Sequence, residues 1–325
     1  MKHLEMRSFV IAFVTHVGIV ATLVGCRDHS QAEPAPPATA EAPAIASASA
    51  APSASGPPPA TSTIRVNVLP IPTAAVANAV NPARLPVYDG PTGAVDGTVT
   101  IDGDPAPDVA PQDYSKCPAG AKAYQKLFRA GAAGANGKRP LADALVGVEG
   151  YAGFVPETHD ALPVSIDQCA FSPRTMALTY GQRLEVTNNT SAVIAPSLDR
   201  APTPALMIAP PRANGDAVKL YPPHPGYYTL EDKMGGLPFL KGDVYVLLFP
   251  FHASTTADGH FHIDGIPVGH AKVFTRLRSI GKETALDVEI TAGGTTHVDL
   301  SLHYSQKEAA ALNASRADAG ARVIP

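Results

Sequence analysis

Imidazole is the side chain in this sequence best suited to chemistry near neutral pH, and several of the 11 histidines gather toward the C-terminus. His260 and His262 flank Phe261, so on a strand both imidazoles leave one face while the phenyl ring turns to the core. Paired imidazoles can hold a borderline metal such as copper or zinc. His252 lies a little upstream, and His224 and Met234 flank a Pro- and Gly-rich loop where imidazole and thioether would suit Cu(I). The plainer reading of the same residues is solvated imidazoles beside a turn and a packing methionine. No carboxylate or Cys shares a ligand spacing with them.

Other reactive patterns fail on inspection. The glycines of 131–139 resemble a phosphate loop only superficially: the first glycine falls at Ala132 and the required hydroxyl at Arg139. No G-x-S-x-G or H-E-x-x-H run occurs. With no nucleophile–base pair to name, the chain is expected not to be an enzyme and to need no cofactor, copper being the alternative. A net charge of −4 gives no reason to expect nucleic acid.

The N-terminus reads as an address. Lys2 and Arg7 precede an apolar run from Phe9 to Val24, which ends at Leu23-Val24-Gly25-Cys26. These are the parts of a secretory signal, and the run falls short of the roughly 20 apolar residues of a membrane helix. Leu-Val-Gly-Cys resembles the bacterial lipobox. That resemblance implies removal of residues 1–25 as signal peptide and acylation of Cys26 by palmitate-type chains. The mature protein would be a lipoprotein held to the membrane through its N-terminal lipid. Arg27 rather than Asp after the Cys implies the outer membrane of a bacterial cell envelope. Two cysteines then remain, Cys117 and Cys169. They are either a disulfide or two buried thiols, and an oxidising envelope compartment favours the bridge.

The 33 Pro and 27 Gly exceed ordinary usage and divide unevenly along the chain. From Arg27 to about Thr63 the sequence is almost entirely Ala, Pro, Ser, Thr and Glu, which cannot bury enough apolar surface to offset the entropy of ordering. Residues 26–90 are therefore expected to be a disordered Pro/Ala-rich tether, within which Ile64–Leu69 could pair as a strand. Beyond Gly97 the pattern becomes short alternating runs punctuated by turn residues. Met176, Leu178 and Tyr180 are followed by Leu184 and Val186, then Val218 and Leu220. Phe261 and Ile263, then Leu286, Val288 and Ile290, then Val298, Leu300 and Leu302 continue the series. Such spacing predicts an all-β sandwich or barrel. The run 244–249 has no polar face and should be covered on both sides, with a second layer over it.

Several phrases carry a family resemblance. Asp167-Gln168-Cys169-Ala170-Phe171-Ser172-Pro173 precedes Gly181-Gln182 and the Asn-rich Val186-Thr187-Asn188-Asn189. This order resembles bacterial cupredoxin-like envelope proteins of the plastocyanin-like, methylamine utilisation type. Thr256–Gly269, with the turn 291–295, looks like the carboxypeptidase regulatory-like module, a small prealbumin-like β-sandwich. With the signal peptide over 1–25 and the tether over 26–90, the resemblance implies a cupredoxin-like domain over 91–250 and a carboxypeptidase regulatory-like domain over 251–304, leaving a flexible tail over 305–325 with one short helix from Gln306. In the resembled family the first copper-binding His follows the Asn-rich loop, and the Cys, second His and Met precede the segment matching 238–242. Here 188–197 has no His, 228–237 has neither Cys nor His, and no Cys follows Cys169. The expectation is a non-catalytic, lipid-anchored display or binding module whose partner is an unidentified envelope protein or glycan. The alternative is a copper-binding or electron-transfer protein using His224, Met234, His252, His260 and His262 as a non-standard site.

Overall fold

Alternation of apolar and polar residues builds four sheets across residues 71–202 and 206–311, which the computed structural model describes. The signal segment, Cys26, the possible strand 64–69 and the tail from residue 312 lie outside the described residues.

Two of the sheets face each other around one core. One joins Thr175–Thr179, Lys241–Leu247, Gly226–Asp232 and Pro196–Leu198 in that order. The other joins Ala170–Ser172, Ala161–Asp167, Arg183–Asn188 and Val218–Leu220. Inward residues at every second position fill the space between them: Val164 and Ile166, Leu184 and Val186, Met176 and Leu178, Leu230, Val244 and Val246. Cys117 and Cys169 are bridged at the margin of this core, with Cα atoms 6.3 Å apart.

A second pair of sheets is assembled from distant parts of the chain. Thr92–Gly103 runs through the middle, antiparallel to His260–Pro267 on one side and parallel to Thr295–His297 and Leu300–Tyr304 on the other. Leu145–Glu149 lies between His252–Ser254 and Gly269–Leu277, with Lys282–Ile290 beyond. The expected boundary between 91–250 and 251–304 therefore does not follow the backbone hydrogen bonds: strands 92–103 and 145–149 pair with strands beyond 251. The reason is burial. The C-terminal strands alone cannot cover their apolar faces, and Val95, Val99 and Ile101 supply the missing central row. Leu286, expected inward, is exposed on the outer strand.

From Val244 to Leu247 the run is covered on both sides, as its lack of a polar face required, but Leu248 is exposed. Val244 and Val246 enter the first core, while Tyr245, Leu247 and Phe249 pack with Leu145 and Phe274 of the second pair of sheets. Polar bonds lock this junction: Thr175 Oγ1 donates to the Asp143 carbonyl at 2.7 Å, and Arg129 grips the Asp143 carboxylate through two nitrogens.

Part of the expected tether is ordered. Thr73–Val80 forms a helix whose Val76, Ala79 and Val80 share one face and pack on the first core. Gly181 makes room for it. Its φ of +109° suits glycine, and a Cβ there would stand 2.8 Å from a Val76 methyl. At the other end, residues 306–311 are helical.

Candidate functional site

Three places in the fold gather the groups that chemistry would need. The first is the end of the first sandwich, where the two loops that the resemblance associates with copper do meet. Asp232 ends its strand there, only 7% exposed. Its Oδ1 accepts from the backbone N–H groups of Ala195 at 3.0 Å and Met234 at 3.2 Å, and its Oδ2 from that of Leu237 at 3.2 Å. One carboxylate thus ties 193–195 to 233–237. The side chains around it do not make a copper site. Met234 is 52% exposed, and no Cys or His occurs in 228–237 or 188–197. An imidazole and thiolate set cannot be drawn from these residues, and the group that holds the loops is an oxygen acceptor already engaged by amides. His224 is exposed at the opposite end of the strand Gly226–Asp232, fixed through its own backbone, whose N–H and C=O both bond the Tyr228 hydroxyl.

A second group lies in a cleft of about 700 Å³ lined from both pairs of sheets, among others by Glu157, His159, Gln182, His252, Ser254 and His262. His252, on the strand His252–Ser254, places Nε2 3.1 Å from Thr179 Oγ1. The Thr179 hydroxyl lies 2.9 Å from Glu157 Oε2 and 3.2 Å from the Phe249 carbonyl. A hydroxyl has one proton, so donation to Glu157 leaves Oγ1 to accept from the imidazole N–H. Burial pushes His252 down to about 4, against a smaller opposing effect of the Glu157 charge. Glu157 is itself pulled below the usual carboxylate range: burial raises it, but bonds from the His159 backbone, Thr179 and His159 outweigh that. The arrangement is not a nucleophile and base. Thr179 is 3% exposed, its proton is directed at Glu157, and so weakly basic an imidazole is poorly suited to take it.

The third group stands on the outer face of the sheet around Thr92–Gly103. Val95 and Val99 point inward, so Asp96 and Thr98 point outward. Asp96 is the direct cross-strand partner of His262 on one side and His297 on the other, and Thr98 is opposite His260. Gly97, on the inward side, lets the neighbouring backbone come close, since a Cβ there would lie 1.8 Å from the Val298 carbonyl oxygen. His260 Nε2 is 2.9 Å from Asp96 Oδ2, His262 Nδ1 is 3.4 Å from the same oxygen, and His297 Nδ1 is 3.7 Å from Oδ1. Burial tends to raise Asp96, but the bonds and charges of His260 and His262 prevail and hold it below the usual range. Asp299 accepts from both the N–H and the hydroxyl of Thr98 and lies 3.4 Å from His297 Nε2. As the side chains stand, no three His, Cys, Asp or Glu among the described residues converge on one ion position. The imidazoles lie against Asp96 itself.

Of the five residues expected to act together, only His260 and His262 share a partner. His224 and Met234 stay on separate loops of the first sandwich, and His252 bonds Thr179. Sequence reasoning missed Asp96, His297, Glu157 and Thr179. Outward placement of Asp96 was readable from the alternation, but its neighbours were not.

No family model matches the chain, and no curated protein matches it. Among solved structures, a mutant plastocyanin of fern is 17% identical, over 26% of this chain and 100% of that one, with a TM-score of 0.23. A reduced mutant amicyanin is 17% identical over 28% of this chain and 86% of that one, with a TM-score of 0.23. A pseudoazurin from Sinorhizobium is 16% identical over 27% of this chain and 73% of that one, with a TM-score of 0.21.

Proposed function

We propose that this chain is a non-catalytic bacterial envelope protein, anchored by lipid on Cys26, probing its surroundings with a cupredoxin-like sandwich joined to a prealbumin-like one as a binding module. The observation that carries the reading is Asp232. At the loop pair where the resembled family places a metal, a carboxylate bonded to three backbone amides performs the mechanical task of joining the loops. The Cys117–Cys169 bridge supports an oxidising compartment. The partner is an envelope protein or glycan, and the outer membrane is the proposed location.

Two measurements test this. Intact mass of the membrane-fraction protein should give a chain beginning at acylated Cys26, and an unmodified chain beginning elsewhere overturns the anchor. Copper titration followed by visible absorption should produce no intense blue band. Such a band, lost on substitution of Met234, would overturn the non-copper reading of the loop pair.

A second reading, a copper-binding protein with a non-standard site, is favoured by the approach of His260, His262 and His297 to Asp96. It does not involve the loop pair.

A further inference from the structure

We propose that Asp96, His260, His262 and His297 form a binding site for one borderline divalent metal ion, of the Zn²⁺ or Cu²⁺ class, on the outer face of the second pair of sheets. The inference deepens the second reading above and leaves the binding-module reading intact whichever way it falls.

Donor chemistry comes first. Three imidazoles and one carboxylate are the ligand types that zinc and copper select. In a tetrahedral site with metal bonds near 2.0–2.1 Å, neighbouring donor atoms stand about 3.3 Å apart. His260 and His262 lie 2.9 and 3.4 Å from Asp96 Oδ2, which brackets that edge, while His297 lies 3.7 Å from the other oxygen, Oδ1. As the side chains stand they do not converge on one point, so binding an ion would require these partly exposed side chains to rotate. Three adjacent strands of one sheet already fix the Cα positions, with Asp96 on the middle strand.

A second observation points the same way. His297 turns Nδ1 toward Asp96 and Nε2 toward Asp299, at 3.4 Å. A metal-ligating imidazole characteristically directs its other N–H at a carboxylate, which fixes the ring and raises its basicity. Asp299 is itself held by two bonds from Thr98. Charge also favours a cation: the carboxylates of Asp96 and Asp299 both face the cluster.

The test is calorimetric titration of the purified full-length chain with Zn²⁺, and separately with Cu²⁺, at neutral pH. One equivalent should bind and be removed by a chelator. His262→Ala and His297→Ala should each weaken affinity by about tenfold or more, and Asp299→Asn by a smaller factor. His303→Ala, on the same sheet but paired with Asp102, should bind as the parent does. Affinity should fall on acidification, because ligating imidazoles must be deprotonated. Circular dichroism of each variant confirms folding, and His297→Gln serves if the alanine variant fails. No saturable binding by the parent chain overturns the site. Undiminished affinity in His262→Ala/His297→Ala also overturns it and sends the ion elsewhere. Neither result touches the membrane-fraction mass or the visible spectrum that test the proposed function.

Discussion

Asp232 and Asp96 are both carboxylates approached by three nitrogen-bearing groups, yet they do different work. Asp232 is buried and takes three backbone N–H groups, donors that cannot titrate, rotate away or coordinate a metal. Asp96 is partly exposed and is approached by three imidazoles, which can do all of these. A carboxylate among amides is a clasp. A carboxylate among imidazoles is a site open to protons and cations. The difference teaches that the loop pair at the end of the first sandwich is built for stability, while the outer sheet face is the chemically responsive surface.

The most severe challenge to the clasp side is to loosen the sandwich around it. The Cys117–Cys169 bridge closes a separation of 52 residues, so Cys117→Ser/Cys169→Ser should lose about 4 kcal/mol of unfolding free energy by urea denaturation. A loss near zero would mean that the first sandwich does not depend on this bridge. Next, Asp232→Ala should cost about 3 kcal/mol, because amides of Ala195, Met234 and Leu237 lose a charged acceptor. If the variant is as stable as the parent, Asp232 is no clasp.

His252 provides an intermediate case, an imidazole that is buried rather than displayed. Its folded value of about 4 lies below the ordinary imidazole value, so the unfolded chain binds the proton more readily. Stability should therefore fall as pH drops through about 6.5 toward 4, by about 2 kcal/mol between about pH 7 and pH 5. His252→Gln, which keeps an N–H for Thr179, should remove that part of the pH dependence. A parent and variant with parallel pH profiles would refute the buried imidazole.

The smallest effect belongs to Asp96. Asp96→Asn should change stability at neutral pH by no more than about 0.5 kcal/mol, since exposed ion pairs contribute little. Asp96 is held below its usual value, so its contribution is present above the unfolded value and disappears as pH falls through the folded one. The parent and Asp96→Asn curves should converge in that acid window. A large neutral-pH loss would make Asp96 a second clasp and erase the contrast.

Much of the architecture was legible, for a physical reason. A strand repeats every two residues, so Met176 with Leu178 and Leu184 with Val186 declared their buried faces, and the apolar run at 244–249 declared two. The helix Thr73–Val80 was hidden by the Ala- and Pro-rich composition around it, although Val76, Ala79 and Val80 have helical spacing. The candidate site was half legible. His260-Phe261-His262 announced two imidazoles on one face, and nothing nearby announced Asp96 or His297.

By itself, the sequence determined which residues face inward along most of the strands, and that the loop pair lacks the Cys and His of a type 1 copper site. Tertiary structure alone decided which strands are neighbours. The alternation assigns a face to Asp96 but carries no information about what lies beside it. That depends on a chain that leaves the second pair of sheets after Glu149, builds the first sandwich from Ala161 to Leu247, and returns at His252. Burial of Val95, Val99 and Ile101 between His260–Pro267 and the C-terminal strands sets the register. Once that apolar row is seated, Asp96 stands between His262 and His297 on the opposite face.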